Sequence, residues 1–85
     1  MKKTLRSESE EQMTIGEHIK QERLARGWTQ SELARRAHAT TISISYYENE
    51  RSLPSVLVLI GLADAFGISL DQLVGRKVAD GNAGT

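Results

Sequence analysis

Three segments that suit helices are each preceded by a pattern that limits where a helix can begin: a Ser or Thr followed three residues later by Glu or Gln. In this capping box the hydroxyl accepts the backbone N–H of the third helical residue, while the acidic or amide side chain accepts the N–H of the cap. The boxes are formed by Thr14 with Glu17, Thr29 with Glu32, and Ser69 with Gln72. A further cap, Ser55, precedes a long apolar segment. Four helices are therefore predicted, each beginning directly after one of these caps.

The ends of these helices are also marked. Gly27 suits the left-handed residue that ends the first helix, and Gly67 suits the same role after a fourth helix ending at Phe66. The second helix is predicted to run to about Ala37. A segment of uncertain type, 38–50, separates it from the apolar helix.

That segment reads HATTISISYYENE, and by propensity its β-branched and aromatic residues favour a strand. No other part of the sequence offers a partner strand of adequate length, however. With Thr40 as N-cap, helical spacing places Ile44, Tyr47, Glu48 and Arg51 on one face. It places Thr41, Ile42, Ser45, Tyr46 and Asn49 on another. The helical interpretation sorts inner from outer residues, and a third helix is predicted.

Length and composition exclude several classes. A chain of 85 residues forms one small domain and buries only about 60 to 65% of its unfolded surface. Cysteine is absent, which excludes disulfides and Cys-ligated zinc and fits a cytoplasmic protein. The longest apolar run, 55–63, is less than half of the ~20 residues that span a membrane. With two histidines, no phosphate loop and no nucleophile beside a base, neither an enzyme nor a cofactor or metal site is predicted.

Both ends of the sequence have the character of tails. Residues 1–13 mix Ser, Glu and Lys without apolar periodicity, and residues 75–85 hold three of the seven glycines. Because neither segment has much to bury, both are expected to be flexible. The folded domain is therefore predicted to span residues 14–74.

The predicted helices resemble the helix-turn-helix domain of Cro and phage repressors, the Xre family. The similarity runs through IGEHIKQERLARGWTQSELARRA, TISISYYENERSLPS and LIGLADAFGISLDQLV, so it covers residues 15–74, 60 of the 85 positions. It implies an all-α, compact, five-helix lambda-repressor-like domain. It further implies that the domain binds operator DNA as a homodimer, with the third helix in the major groove.

Candidate DNA contacts are indicated both by the family resemblance and by the chemistry of the side chains. Gln30, Thr40 and Asn49 match positions that contact phosphate in the family, and Gln30 and Thr41 are expected to be exposed. Hydroxyl groups on the outer face of the third helix can pair with several base edges, and an isoleucine there can contact a thymine methyl group. That face comprises Thr41, Ile42, Ser45 and Tyr46. The alternative is that these residues are ordinary caps and exposed polar side chains.

An internal ion pair is also implied. Arg23 and Glu48 each follow a buried-type isoleucine by four residues and match family positions that pair, which would fix the angle between two helices. The alternative is two separate surface charges. His38 and Glu50 stand where the family favours glycine, at a cost of about 1 kcal/mol each if φ is positive.

The fourth helix carries more apolar residues than one face can use. An inward stripe is predicted to comprise Val56, Leu59, Leu62, Ala63 and Phe66. The remaining apolar surface predicts a homodimer interface centred on Leu57, Ile60 and Gly61. The alternative is that the fifth helix and the C-terminal residues bury this surface.

Two functions remain from different classes. The first is a transcriptional regulator that binds a double-stranded DNA operator. The second is an antitoxin-like or anti-repressor module that uses the same fold to hold a protein partner. Residues 15–74 hold six basic and seven acidic side chains, a net charge of −1, which favours the second. The hydroxyl-rich outer face of the third helix and the presence of Gln30 and Thr40 favour the first more strongly.

Overall fold

The computed structural model describes residues 13–75, and every predicted helix is present in it. The elements are α1 (Ile15–Ala25), α2 (Gln30–Ala37), α3 (Thr41–Glu48), α4 (Val56–Phe66) and α5 (Leu70–Val74). The predicted tails lie outside this range apart from Met13 and Gly75. Within residues 13–75 there is no strand, so the fold is all-α as predicted, and no helix there is long and apolar enough to cross a membrane.

Two of the three predicted capping boxes form completely. At α1 the Thr14 hydroxyl accepts the Glu17 N–H at 3.1 Å, and the Thr14 N–H donates to the Glu17 carboxylate at 2.9 Å. The box at α5 has the same two bonds. The box predicted for α2 is wrong in one half: Thr29 caps the helix, but the Glu32 carboxylate does not return to it.

The Glu32 carboxylate is engaged further along its own helix. It accepts hydrogen bonds from Arg35 at 2.5 Å and from Arg36 at 2.6 Å. These two guanidinium groups, Arg35 foremost, hold the pKa of Glu32 below its usual value against a smaller opposing effect of burial. Two cations three and four residues away thus compete more effectively for the carboxylate than one backbone N–H.

The 38–50 segment forms α3 in spite of its strand-like composition. Thr40 caps it by accepting the Ser43 N–H at 3.0 Å, and Ile44 is completely buried. His38 and Glu50 both adopt a left-handed φ of 59°. Each costs on the order of 1 kcal/mol relative to glycine. The Glu50 carboxylate accepts the Thr14 hydroxyl at 2.7 Å, so this residue also joins the end of α3 to the cap of α1.

The core draws on all five helices. Each contributes one completely buried aliphatic side chain, and these are Ile19, Leu33, Ile44, Leu62 and Leu73. Trp28, in the α1–α2 connection, packs against this core and stacks on Phe66 with ring centroids 6.0 Å apart. The guanidinium group of Arg36 lies over Trp28, and that of Arg26 over Phe66. Cation–π contacts therefore cover the outer edge of the core.

Two helix contacts depend on glycine. A Cβ at Gly16 would lie 2.2 Å from the Tyr47 carbonyl oxygen, so α1 can approach the end of α3 only without a side chain there. A Cβ at Gly61 would lie 3.1 Å from the Ala37 carbonyl oxygen, where α4 meets α2. Gly61 therefore packs against α2 within the domain, and its place in a dimer interface stays a prediction.

The inward face of α4 is also rotated from the prediction. Val56 was expected inside but is 64% exposed, whereas Val58 was expected outside but packs against the core. With successive residues about 100° apart, Val56 lies about 120° from the buried Leu62, and Val58 only about 40° from it. Four large apolar side chains in or just before α4 are exposed and are together called the apolar stripe below: Leu53, Val56, Leu57 and Ile60.

We predict that Gly16→Ala destabilises the domain by about 2 to 3 kcal/mol, because the added methyl group overlaps a backbone carbonyl that cannot rotate away. Thermal or urea unfolding measures the loss. The matched control is Gly61→Ala, where a shift of a few tenths of an ångström accommodates the methyl group and the change should be much smaller. Equal effects of the two substitutions would contradict the close contact at Gly16.

Candidate nucleic-acid interface

A buried ion pair joins α1 to α3 beneath the candidate interface. The Arg23 Nε donates to Glu48 Oε2 at 2.7 Å and its Nη2 donates to Oε1 at 3.0 Å. The remaining Nη1 donates to the Trp28 carbonyl oxygen at 2.8 Å. Both charged residues are only 9% exposed. The structure thus brings together the two residues that the sequence suggested as an internal pair, in a bidentate arrangement.

Gln30 extends this network to α2. Its Nε2 donates to Glu48 Oε1 at 3.1 Å, and the residue is half-buried, not exposed as expected. The amide keeps one N–H and its carbonyl oxygen for an outside partner. Gln30 therefore stands at the first turn of α2 with its orientation fixed by a buried carboxylate.

The outer face of α3 presents both apolar and hydroxyl groups. Ile42 is 67% exposed and Tyr46 is 46% exposed, and Thr41 is also exposed, while Ser45 is half-buried. Asn49 is exposed, but its amide donates to the Ser45 carbonyl oxygen at 2.9 Å. Four of these five residues are therefore accessible, and Ser45 is the exception. The amide N–H of Asn49, however, is used by a carbonyl oxygen of its own helix.

The cap of α3 is similarly engaged. The Thr40 hydroxyl donates to Ser43 Oγ at 2.8 Å while it accepts the Ser43 N–H. Its single hydrogen is thus used inside the helix, and one lone pair remains for an outside group. Thr40 is exposed, so it can still accept a hydrogen bond but cannot donate one without breaking the contact with Ser43.

Ser31 belongs to this surface although sequence reasoning missed it. Its Oγ lies 3.2 Å from Thr41 Oγ1, and both residues are exposed. The bond crosses from the first turn of α2 to the first residue of α3. Helical spacing cannot reveal a contact between two helices, but its position beside Gln30 was a signal that could have drawn attention to it.

Most cationic side chains of the described residues are paired within the domain. Arg26 pairs with Glu22 at 2.8 Å and donates to the Phe66 carbonyl oxygen at 2.6 Å. Arg51, expected on the inner face of α3, is exposed because the helix ends at Glu48 and Glu50 turns the chain. Among residues 13–75 no group of three potential metal ligands lies together.

A family model described as helix-turn-helix matches residues 19–73. This range includes both helices of the candidate interface and the connection between them. The chain belongs to the helix-turn-helix family. Within it, the domain is of the Cro and phage-repressor type, also called Xre.

Three curated relatives are similar to this helix-turn-helix domain. The cryptic phage CTXphi transcriptional repressor RstR of Vibrio cholerae is 36% identical over 82% of the chain. The immunity repressor protein of Bacillus phage phi105 is 35% identical over 76% of it. The HTH-type transcriptional regulator ImmR of Bacillus subtilis is 30% identical over 75%. The matches span 62%, 45% and 50% of these relatives, so the chain covers about half to three fifths of their length.

Two solved structures share the fold. A crystal structure of the P22 c2 repressor with synthetic operator 9T has a TM-score of 0.71 and 26% identity, over 75% of this chain and 98% of that chain. A solution structure of the DNA-binding domain of the same repressor has a TM-score of 0.72 and 25% identity, over 75% and 84%. The five helices of this helix-turn-helix domain are therefore arranged as in a lambda-repressor-like fold.

We predict that Arg23→Met destabilises the domain by about 3 kcal/mol or more, because Glu48 is left as a buried charge without its main partner. Equilibrium unfolding in urea measures the change. The matched control, Arg23→Met with Glu48→Met, removes both charges and should recover much of the loss. A melting temperature unchanged by Arg23→Met would contradict the role assigned to the pair.

Proposed function

We propose that this helix-turn-helix domain binds a specific double-stranded DNA operator as a homodimer and regulates transcription, with α3 in the major groove. The observation that carries the proposal is the exposed face of α3, which presents hydroxyl and apolar groups above a buried network that fixes its angle to α1 and α2. An α-helix fits the major groove, where such groups can contact base edges and thymine methyl groups.

The relatives support the same function. All three are named as repressors or transcriptional regulators, and one structural neighbour was crystallised with a synthetic operator. Gln30 and Thr40 stand at helix N-termini, where a phosphate group is favoured by the helix dipole and by unpaired N–H groups. In this proposal they position the domain on the backbone, Gln30 through its free N–H and Thr40 by exchanging its bond to Ser43 for one to a phosphate oxygen. Thr41, Ile42 and Tyr46 contact bases.

An electrophoretic shift assay over a range of salt concentrations tests DNA binding. The probe is DNA from immediately upstream of the domain's own coding sequence, and the control is a duplex of the same length with shuffled sequence. Preferential binding to the first duplex supports the regulator. Equal and weak binding to both would favour the second candidate.

That second candidate is an antitoxin-like or anti-repressor module that holds a protein partner. The net charge of −1 over residues 15–74 favours it, because it gives little general attraction to DNA. A partner protein would cover the apolar stripe or α3. Co-purification of a partner with loss of specific DNA binding would support this function over the first.

We predict that Gln30→Ala and Thr41→Ala weaken DNA binding in different ways. Loss of the Gln30 contact should lower affinity for all sequences about equally, whereas loss of Thr41 should cost ~1 to 3 kcal/mol on the cognate site and relax discrimination there. Because Gln30 also supports Glu48, its replacement should reduce stability by about 1 kcal/mol. Titrations on the cognate site and its single-base variants measure the affinities.

Thermal unfolding of both variants is the control for these titrations. Thr41→Ala should melt as the original chain does, since the residue is exposed at the helix start. Wild-type affinity for every sequence in both variants would remove the two positions from the DNA site.

The homodimer part of the proposal rests on the apolar stripe. Leu53 and Leu57 are 80% exposed and Val56 is 64% exposed, and helical spacing places Val56, Leu57 and Ile60 on one side of α4. Contiguous exposed apolar surface of this kind usually marks an interface. A two-fold dimer would set two copies of α3 about one DNA turn apart, roughly 34 Å, so that they contact a palindromic site.

We predict that Leu57→Lys combined with Ile60→Lys yields a folded monomer with much weaker operator binding, because four charges would meet across the two-fold axis. Sedimentation at micromolar concentration reports the oligomeric state. The matched control is Leu24→Lys, which charges another exposed leucine on α1 and should leave the dimer intact. A wild-type monomer, or a double variant that still dimerises, would place the interface elsewhere.

A further inference from the structure

The contact between Ser31 and Thr41 joins the two helices of the helix-turn-helix unit at the candidate DNA surface. Their hydroxyl oxygens lie 3.2 Å apart, and either can be the donor. Ser31 is the second residue of α2 and Thr41 the first of α3, and both are exposed. The bond therefore lies where the amino-terminal ends of the two helices approach one another.

The supply of hydrogens in this pair is limited. Each hydroxyl has one hydrogen and two lone pairs, and the bond between them uses one of the two hydrogens. If Ser31 donates, Thr41 can give its own hydrogen to a base. If Thr41 donates, it can only accept from one. When Ser31 donates, Thr41 therefore keeps its hydrogen and one lone pair, and when Thr41 donates it keeps one lone pair. In both cases the bond restrains the direction of the Thr41 hydroxyl, whereas an unpaired threonine hydroxyl can rotate.

Neighbouring polar groups have other partners. The hydrogen of Thr40 is used by Ser43, and the amide of Asn49 donates to Ser45. Gln30 stands next to Ser31 in sequence, but its amide donates to the buried Glu48 and not to Thr41. Among the described residues, Ser31 is the side chain that holds the Thr41 hydroxyl.

We propose that Ser31 is a positioning residue that determines which base edge Thr41 recognises. It restrains the direction of the Thr41 hydroxyl and occupies one of its hydrogen-bonding positions, so that one base pair in each half-site is discriminated more sharply. The inference rests on the proposed DNA-binding function, and it adds to that function a residue and a source of sequence specificity. Ser31 itself need not touch a base.

A double-mutant cycle tests the inference. The binding site is first selected from a randomised duplex library with the wild-type chain. Wild type, Ser31→Ala, Thr41→Val and the double variant are then titrated against every single-base-pair variant of that site. Ser31→Ala should reduce discrimination about fivefold, the equivalent of one neutral hydrogen bond, at the same base pair that Thr41→Val affects. In the Thr41→Val background, Ser31→Ala should change nothing further there.

Ser31→Thr provides the rescue, because it keeps the hydroxyl and should keep the wild-type preference at that base pair. Thermal unfolding of all variants should be unchanged, since both residues are exposed. Three results would overturn the inference: an additive cycle, an equal loss of affinity for all sequences, or an unaltered preference in Ser31→Ala. Failure of the wild-type chain to enrich any sequence would instead overturn the proposed function, and the inference with it.

Discussion

The buried pair of Arg23 and Glu48 is the interaction on which the arrangement of the first three helices depends. The guanidinium group of Arg23, on α1, makes three hydrogen bonds. Two go to the Glu48 carboxylate on α3, and one goes to the Trp28 carbonyl oxygen in the connection that leads to α2. Gln30 then brings the first turn of α2 to the same carboxylate. Desolvation offsets much of the Coulombic attraction, so the main effect of the network is on geometry and less on net stability. A displaced helix would leave a buried charge unpaired, which is why the angle between helices is narrowly set.

This constraint explains how α3 exists as a helix. Its sequence is rich in β-branched and aromatic residues, which are poor helix formers. One end is held by the Thr40 cap and the other by Glu48 in the buried pair. Burial of Ile44 and the close approach of Gly16 to the Tyr47 carbonyl oxygen fix the inner face. Because tertiary contacts hold the inner face of α3, the side chains on its outer face are not needed for folding and can serve binding.

Local signals predicted the fold well because helix caps act within a few residues. All five helices begin after the hydroxyl caps named from sequence, and the strand-like segment is helical. The errors arise where the outcome depends on a partner elsewhere in the chain. Glu32 prefers two arginines of its own helix to its cap, and the rotation of α4 depends on how closely Gly61 approaches Ala37.

The candidate site follows the same division. Outward positions on α3 could be counted from the helical period, and Thr41, Ile42 and Tyr46 are indeed exposed. Hydrogen bonds between helices could not be counted in that way. The inward turn of Gln30 and the contact of Ser31 with Thr41 both require the crossing of α2 and α3 to be known. Sequence thus predicts well which face of a helix a residue occupies. It predicts less well which polar atoms of that residue are left without a partner inside the domain.

The charge distribution sets how such a domain would achieve specificity. Four of the six cationic side chains in residues 15–74 are paired with glutamates, and only Lys20 and Arg51 have no ion pair within the described range. Each phosphate neutralised contributes about −0.9 to the slope of log affinity against log salt, so a domain with few free cations gains little sequence-independent affinity. If it binds DNA as proposed, its complex depends on placed hydrogen bonds and on two copies acting together. Because the non-specific affinity is small, the ratio of specific to non-specific binding then depends on a few side chains. For that reason the orientation of individual hydroxyl and amide groups on α2 and α3 matters more here than total charge.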